Sequence, residues 1–202
     1  MSKSSVPFLV AAFVLGSSAV LLSGCAAVVV GGAGSAGVNA SEERGLEGSV
    51  NDTKINAEIS DLWLKKDGEM FRRLNLNIFE GRVMITGTAD NEDVQADAVS
   101  LAWQAKGVRE VLNDIEVGRN SAADYSRDLL ISQTLGLDLL GDSKIHSINY
   151  KSDVVNGVVY IVGIAKNDDE ENRVLNHARN ISHVRRVVNH ILLSDDPKRR
   201  AP

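Results

Sequence analysis

Few side chains in this chain of 202 residues could act as a nucleophile, a metal ligand or an acid–base pair. The one thiol, Cys25, ends the run Leu22-Ser23-Gly24-Cys25, within a stretch that carries no charge between Lys3 and Glu42. A lone cysteine makes no intramolecular disulfide, so the fold must close without one. The four histidines, His146, His177, His183 and His190, all lie in the C-terminal part. Zinc needs three or four convergent ligands, and His177 and His183 would point about 240° apart on one helix. The acidic run from Asp90 to Asp97 lacks the glycine and terminal glutamate of an EF-hand loop, so it reads as a solvated helix start. Ser23 and Ser132 have no histidine nearby, and no glycine-rich stretch ends in the Lys-Ser or Lys-Thr of a phosphate loop. Catalysis, a bound metal and a cofactor are therefore not expected, and the reactive position is Cys25.

The elements around Cys25 say what that reactivity is for. Lys3 precedes an apolar stretch from Phe8 to Leu22, followed by small residues, which is the layout of a secretory signal peptide. Leu22-Ser23-Gly24-Cys25 also resembles the lipobox of bacterial lipoproteins. That resemblance implies removal of residues 1–24 and a Cys25 carrying diacylglyceryl and N-acyl groups. Several acyl chains at ~0.8 kcal/mol per buried methylene anchor a protein stably. Ala26 stands where an aspartate would imply retention at the inner membrane, so the resemblance implies the outer membrane, on its periplasmic face. The alternative is a spanning helix from about Val6 to Val30, which is long enough at ~1.5 Å per residue. Residues 25–49, rich in Ala, Val and Gly and ending in a charged patch, read as a tether spanning about 25–30 Å. With a formal net charge of −5, the chain lacks the clustered cations that a nucleic acid requires.

Beyond the tether the sequence repeats itself at an offset of 76 residues: 81–117 align with 157–193 without a gap. Matches include Gly81/Gly157, Val83/Val159, Ile85/Ile161, Gly87/Gly163, Asn91/Asn167, Ala102/Ala178 and Asn113/Asn189, and Asp52/Asp128 and Ile55/Ile131 extend them upstream. In the first copy Ile55, Ile59 and Trp63 recur at helical spacing after Asp52 and Thr53, which suit an N-cap. The stretch 74–89 alternates with period two across Glu80-Gly81, a hairpin signal. Val94, Ala98, Leu101, Ala102 and Ala105 form one face of a second helix, which Gly107 can end in a left-handed conformation. Residues 108–117 alternate again. Each unit is thus expected to be α-β-β-α-β, an α+β fold with a three-stranded sheet and two helices on one face. A unit this short buries little apolar surface alone, so contact between the copies is expected to matter.

The glycine-flanked strands Gly81–Ala89 and Gly157–Ala165, the acidic helix starts and the closing strands around Val108–Ile115 and Val184–Ile191 resemble the BON domain. Two copies behind a lipobox resemble the dual BON-domain outer-membrane lipoproteins of the DolP type. The resemblance covers nearly all of 50–193. It implies BON domains at 50–119 and 124–194, a non-catalytic role in envelope integrity, and binding of anionic phospholipid through the second domain. Two departures stand out. His183 replaces the glycine expected from Gly107, so that helix end is expected to take another geometry. The first helix of copy two has Arg127 and Lys144 at its ends with only Asp128, Asp138 and Asp142 between them, a poor electrostatic magnet for anionic lipid.

Copy two is instead rich in apolar side chains on two sides. If Ile131, Leu135 and Leu139 face the core, Leu129, Leu130, Leu137 and Leu140 do not. On the sheet, Val158, Tyr160 and Val162 lie opposite Val159 and Ile161, where copy one has Arg82, Met84 and Thr86. Such double-sided surface marks an interface. Its expected partner is membrane phospholipid or protein: copy one, an outer-membrane assembly protein, or a second copy in a homo-oligomer. Residues 195–202 are expected to be a disordered tail that adds little to anchoring.

Overall fold

The computed structural model describes residues 45–118 and 121–200. The signal segment, Cys25 and the first part of the tether lie outside these residues. In copy one, helix α1 (Gly45–Lys66) is followed by a short helix α2 (Gly68–Arg73), strands β1 (Leu74–Phe79) and β2 (Arg82–Ala89), helix α3 (Glu92–Ala102), and strands β3 (Glu110–Asn113) and β4 (Glu116–Val117). Copy two runs α4 (Ala122–Gly141), β5 (Tyr150–Val155), β6 (Val158–Ala165), α5 (Asp168–Asn180) and β7 (Arg186–Leu193). α1 starts inside the stretch read as tether, and α2 is an addition to the expected order. Its N-cap Asp67 accepts from the Glu69 N–H at 2.9 Å.

Both sheets have one topology. β2 is central, antiparallel to β1 and parallel to β3 and β4; β6 is central, antiparallel to β5 and parallel to β7. The Asp114 N–H donates to the Ile85 carbonyl at 2.9 Å, so β3 and β4 are two parts of one strand. Period-two alternation divides each central strand between two cores. Val83 and Ile85 face Ile55, Ile59, Trp63, Ala98 and Ala102, whereas Val159 and Ile161 face Ile131, Leu135, Leu139, Val174 and Ala178. The other faces of the two sheets meet in a third core containing Phe79, Met84, Val158, Tyr160, Val162 and Ile164. The layers are therefore helices, sheet, sheet, helices. Gly87 and Gly163 have a steric origin: a Cβ at either would collide with the backbone carbonyl of Arg73 or Asn149.

Asp52 does not cap a helix. It sits well inside α1, and its buried carboxylate accepts the Glu80 and Gly81 N–H groups at 3.0 and 2.8 Å. Asp128 does the same from α4, accepting from Asn156 and Gly157 at 2.7 Å each. Each hairpin turns through two residues of positive φ, Glu80-Gly81 and Asn156-Gly157, so its N–H groups point away from the ladder and need such an acceptor. Besides Asp67, the helix caps are Asn91, Ser121 and Asn167, whose side chains accept from Val94, Asp124 and Glu170 N–H.

His183 takes the left-handed conformation of its counterpart, with φ of 71° against 98° at Gly107. The expected change of geometry does not occur, because the chain must turn the same way to enter β7. A side chain is strained there, so His183→Gly is expected to stabilise the protein by about 0.5–1 kcal/mol, measured by urea unfolding.

The C-terminal residues up to 200 are ordered rather than a loose tail. Pro197–Arg200 forms a 3-10 turn. Arg199 makes a two-pronged ion pair with Glu80 at 2.6 and 3.0 Å, while Arg109 donates to the Lys198 and Arg199 carbonyls. The end of copy two is thereby fastened to the β1–β2 hairpin of copy one.

Candidate functional site

The two apolar faces of copy two have different fates. Val158, Tyr160 and Val162 are 0–3 % exposed and lie between the sheets. Copy one is their partner, which withdraws them from lipid or a second protein. Its more polar residues serve the same interface. Arg82 donates to the His190 carbonyl at 2.8 Å and pairs with Glu110 at 2.7 Å, and Asp153 accepts from Thr86 and Asn75. Glu116 accepts from Asn156 at 2.6 Å and from the Tyr160 hydroxyl at 3.2 Å. Burial pushes the Tyr160 phenol well above its usual range, and the neighbouring Glu116 carboxylate acts in the same direction. Asp114 meets His190 at 2.7 Å. These two occupy the same position of the repeat, so the copies face each other about an approximate two-fold axis, where identical charges would repel.

The helix face, in contrast, is open. Leu129, Leu130, Leu137 and Leu140 are between 48 % and 72 % exposed. At ~100° per residue they share about 140° of the α4 surface with Tyr125, Ser126, Gln133 and Gly136, and none of these eight is charged. The charged residues of α4, Asp124, Arg127, Asp128 and Asp138, all fall within about 100° centred on the buried side. The repeat supplies its own control. Copy one has Lys54 and Asp61 where copy two has Leu130 and Leu137, although both helices bury equivalent core residues and clamp equivalent hairpins. The leucines are not needed by the fold that both copies share.

A groove of about 510 Å³ runs beside this face, between α4 and the end of α5. Leu130, Ile131 and Ile181 line it, with Arg127, Asp138, His177 and His183 among its polar residues. A wider cleft of about 1020 Å³ lies on the other side, against α2 and β1. Its arginines are engaged, Arg72 with Glu69 and Arg73 with Asp90, each at 2.6 Å.

Three of the four histidines each meet a different carboxylate. His146 touches Glu170, His177 touches Asp142, and His190 touches Asp114. Among the described residues no three His, Cys, Asp or Glu converge as a metal site, and no helix is long and apolar enough to cross a membrane. His177, the Lys144 N–H and Arg173 together hold the Asp142 carboxyl well below the usual carboxylate range, tying the end of α4 to α5. A depressed pKa contributes stability above the unfolded value near 3.9 and loses it as pH falls below. Asp142→Asn is accordingly expected to flatten the fall in urea midpoint between about pH 5 and pH 2.5, with little change in the shape of the curve above it.

The inter-sheet residues Glu116 and Asp153 and the Asp52/Asp128 clamps had no local signal in the sequence beyond the match of the two aspartates at the repeat offset.

The BON domain family profile matches residues 51–119 and 128–195. The outer membrane lipoprotein DolP of Haemophilus influenzae is 29 % identical over 183 residues, 88 % of this chain and 92 % of that one. An uncharacterized protein encoded in the gshII 5′ region of Anaplasma centrale is 32 % identical over 133 residues, covering 65 % of this chain and 88 % of its own. A 21 kDa hemolysin of Actinobacillus pleuropneumoniae is 26 % identical over 133 residues, covering 63 % and 69 %.

Proposed function

The chain belongs to the BON domain family, with two copies of the domain, and from that premise we propose a lipid-anchored protein at the periplasmic face of the outer membrane that supports envelope integrity. Acylated Cys25 holds it at the bilayer, and the outward face of α4 touches phospholipid. The lipobox-like sequence, the tether and the similarity to an outer membrane lipoprotein over most of both chains support this reading. The observation that carries it is the substitution of Lys54 and Asp61 of copy one by Leu130 and Leu137, on a helix face that nothing in the described residues covers. Four exposed leucines are each worth roughly 1.5–3 kcal/mol when fully buried, enough for an already tethered domain to rest on a membrane.

The test is flotation of the mature chain carrying Cys25→Ser with phospholipid vesicles. Wild-type α4 is expected to float, and Leu130→Asp plus Leu137→Asp to abolish flotation without unfolding the protein. A concentration-dependent dimer that ignores vesicles would instead identify a protein-docking scaffold, with lipid entering only through the anchor. Fatty-acid labelling of the full chain beside Cys25→Ala tests the anchor: label is expected only in the wild type.

A further inference from the structure

We infer that the sheet face of each copy is a recognition surface for the other copy and not for its own kind, so that a second copy of this chain can supply the partner by exchange. Two like domains facing each other about an approximate two-fold axis would fit themselves as well as each other if their faces were alike. Three places on this interface forbid that.

Asp114 of copy one meets His190 of copy two at 2.7 Å, and the two side chains are only 13 % and 20 % exposed. At this position copy one against itself would bring two shielded aspartates together, and copy two against itself two imidazoles. Neither pairing gives the aspartate or the imidazole its partner. Glu116 accepts from Asn156 and Tyr160, whose counterparts at the offset of 76 are Glu80 and Met84, while Glu116 itself corresponds to Leu192. Copy one against itself would therefore aim Glu116 at a carboxylate and a thioether, and copy two against itself would leave the Tyr160 hydroxyl facing a leucine. Each alternative shields a polar group without a partner, which costs more than the bond gained in the native pairing. Lastly, Arg199 reaches Glu80 at 2.6 and 3.0 Å, where copy two has Asn156. The copy-two hairpin turn offers it no carboxylate.

The interface also has a direction. Glu80, Asp114 and Glu116 of copy one are acceptors, and Arg199, His190, Asn156 and Tyr160 of copy two donate to them. Asp153 runs the other way, but its donors are the neutral Thr86 and Asn75. Such one-sided placement of charge rejects wrong partners as well as rewarding the right one. Within one chain, residues 118–121 join β4 to α4 and keep the copies at a high effective concentration, so pairing in cis prevails among dilute chains. The same contacts are open to a second chain and need no new surface.

The experiment exchanges the charges between two chains. Asp114→Lys is made in one mature Cys25→Ser chain and His190→Asp in another with a different tag. Each variant opposes like charges in cis. Between the two variants both interfaces are matched, since the new lysine meets the new aspartate and the native Asp114 meets the native His190. The chains are unfolded in urea, mixed, refolded together and counted by native mass spectrometry and tag pull-down. The complementary mixture is expected to give about tenfold or more heterodimer than either variant with itself, the factor set by a modest difference in pairing energy. Both substitutions in one chain restore the match in cis and are expected to return it to monomer. Monomers throughout, or as much dimer from one variant alone as from the mixture, would overturn the inference. Where a single variant does not fold alone, circular dichroism replaces the count: recovery of the native signal on mixing supports exchange, and a mixture that stays unfolded overturns it. No lipid is present, so either outcome leaves the membrane role proposed above standing.

Discussion

Tyr160→Asp is expected to cost about 4–5 kcal/mol, enough to unfold the protein or part its two sheets, whereas Leu137→Asp is expected to stay within about 0.5 kcal/mol of wild type. The chemical change is similar, and burial separates the outcomes. Tyr160 is 2 % exposed in the core between the sheets, and its hydroxyl is bonded to Glu116. A carboxylate there would lie beside its cross-strand neighbour Asp153 and near Glu116, so it would be desolvated and repelled at once, and a large aromatic would be lost from packing. Tyr160→Phe isolates the hydroxyl and is expected to cost about 1 kcal/mol. Urea unfolding followed by circular dichroism reads all three. If Tyr160→Asp were as stable as Leu137→Asp, the sheet–sheet core would not hold the copies together.

The second large effect concerns Asp128. Replacing it with alanine is expected to lower stability by about 2–3 kcal/mol, because the part-buried Asn156 and buried Gly157 N–H groups of the β5–β6 turn lose a charged acceptor. Asp128→Asn retains one acceptor oxygen and is expected to lose about half as much. Asp52→Ala is expected to act the same way on the β1–β2 turn. Hydrogen exchange gives a readout that overall stability does not: the Asn156 and Gly157 turn amides should lose protection ahead of β6. Uniform loss across the sheet would mean that Asp128 acts through helix α4 and not through the turn.

Much of this architecture is legible in the sequence, for a physical reason. Helix and strand periodicities report which side chains a segment must hide from water, and the gapless repeat sampled each periodicity twice. Hence the α-β-β-α-β order, the central strands Arg82–Ala89 and Val158–Ala165, and the core faces of Ile55, Ile59 and Trp63 and of Ile131, Leu135 and Leu139 were readable locally. So was the surplus of leucine on α4, because helical spacing alone excludes Leu130 and Leu137 from a core that Ile131 and Leu135 face.

Which apolar face is covered was not readable, since coverage depends on residues distant in sequence. Val158 and Leu137 look equally surplus to one domain. Only the meeting of the two sheets buries Val158 against copy one and leaves Leu137 in the open. Asp52 failed as a cap for the same reason: its partners are the Glu80 and Gly81 amides, which tertiary packing brings to it. Likewise, Arg199 looked like part of a loose charged end until the fold placed Glu80 beside it. Local patterns thus set the elements and named the candidate surface, and the long-range closure of sheet on sheet decided that α4, not the strands of copy two, is free to meet a membrane.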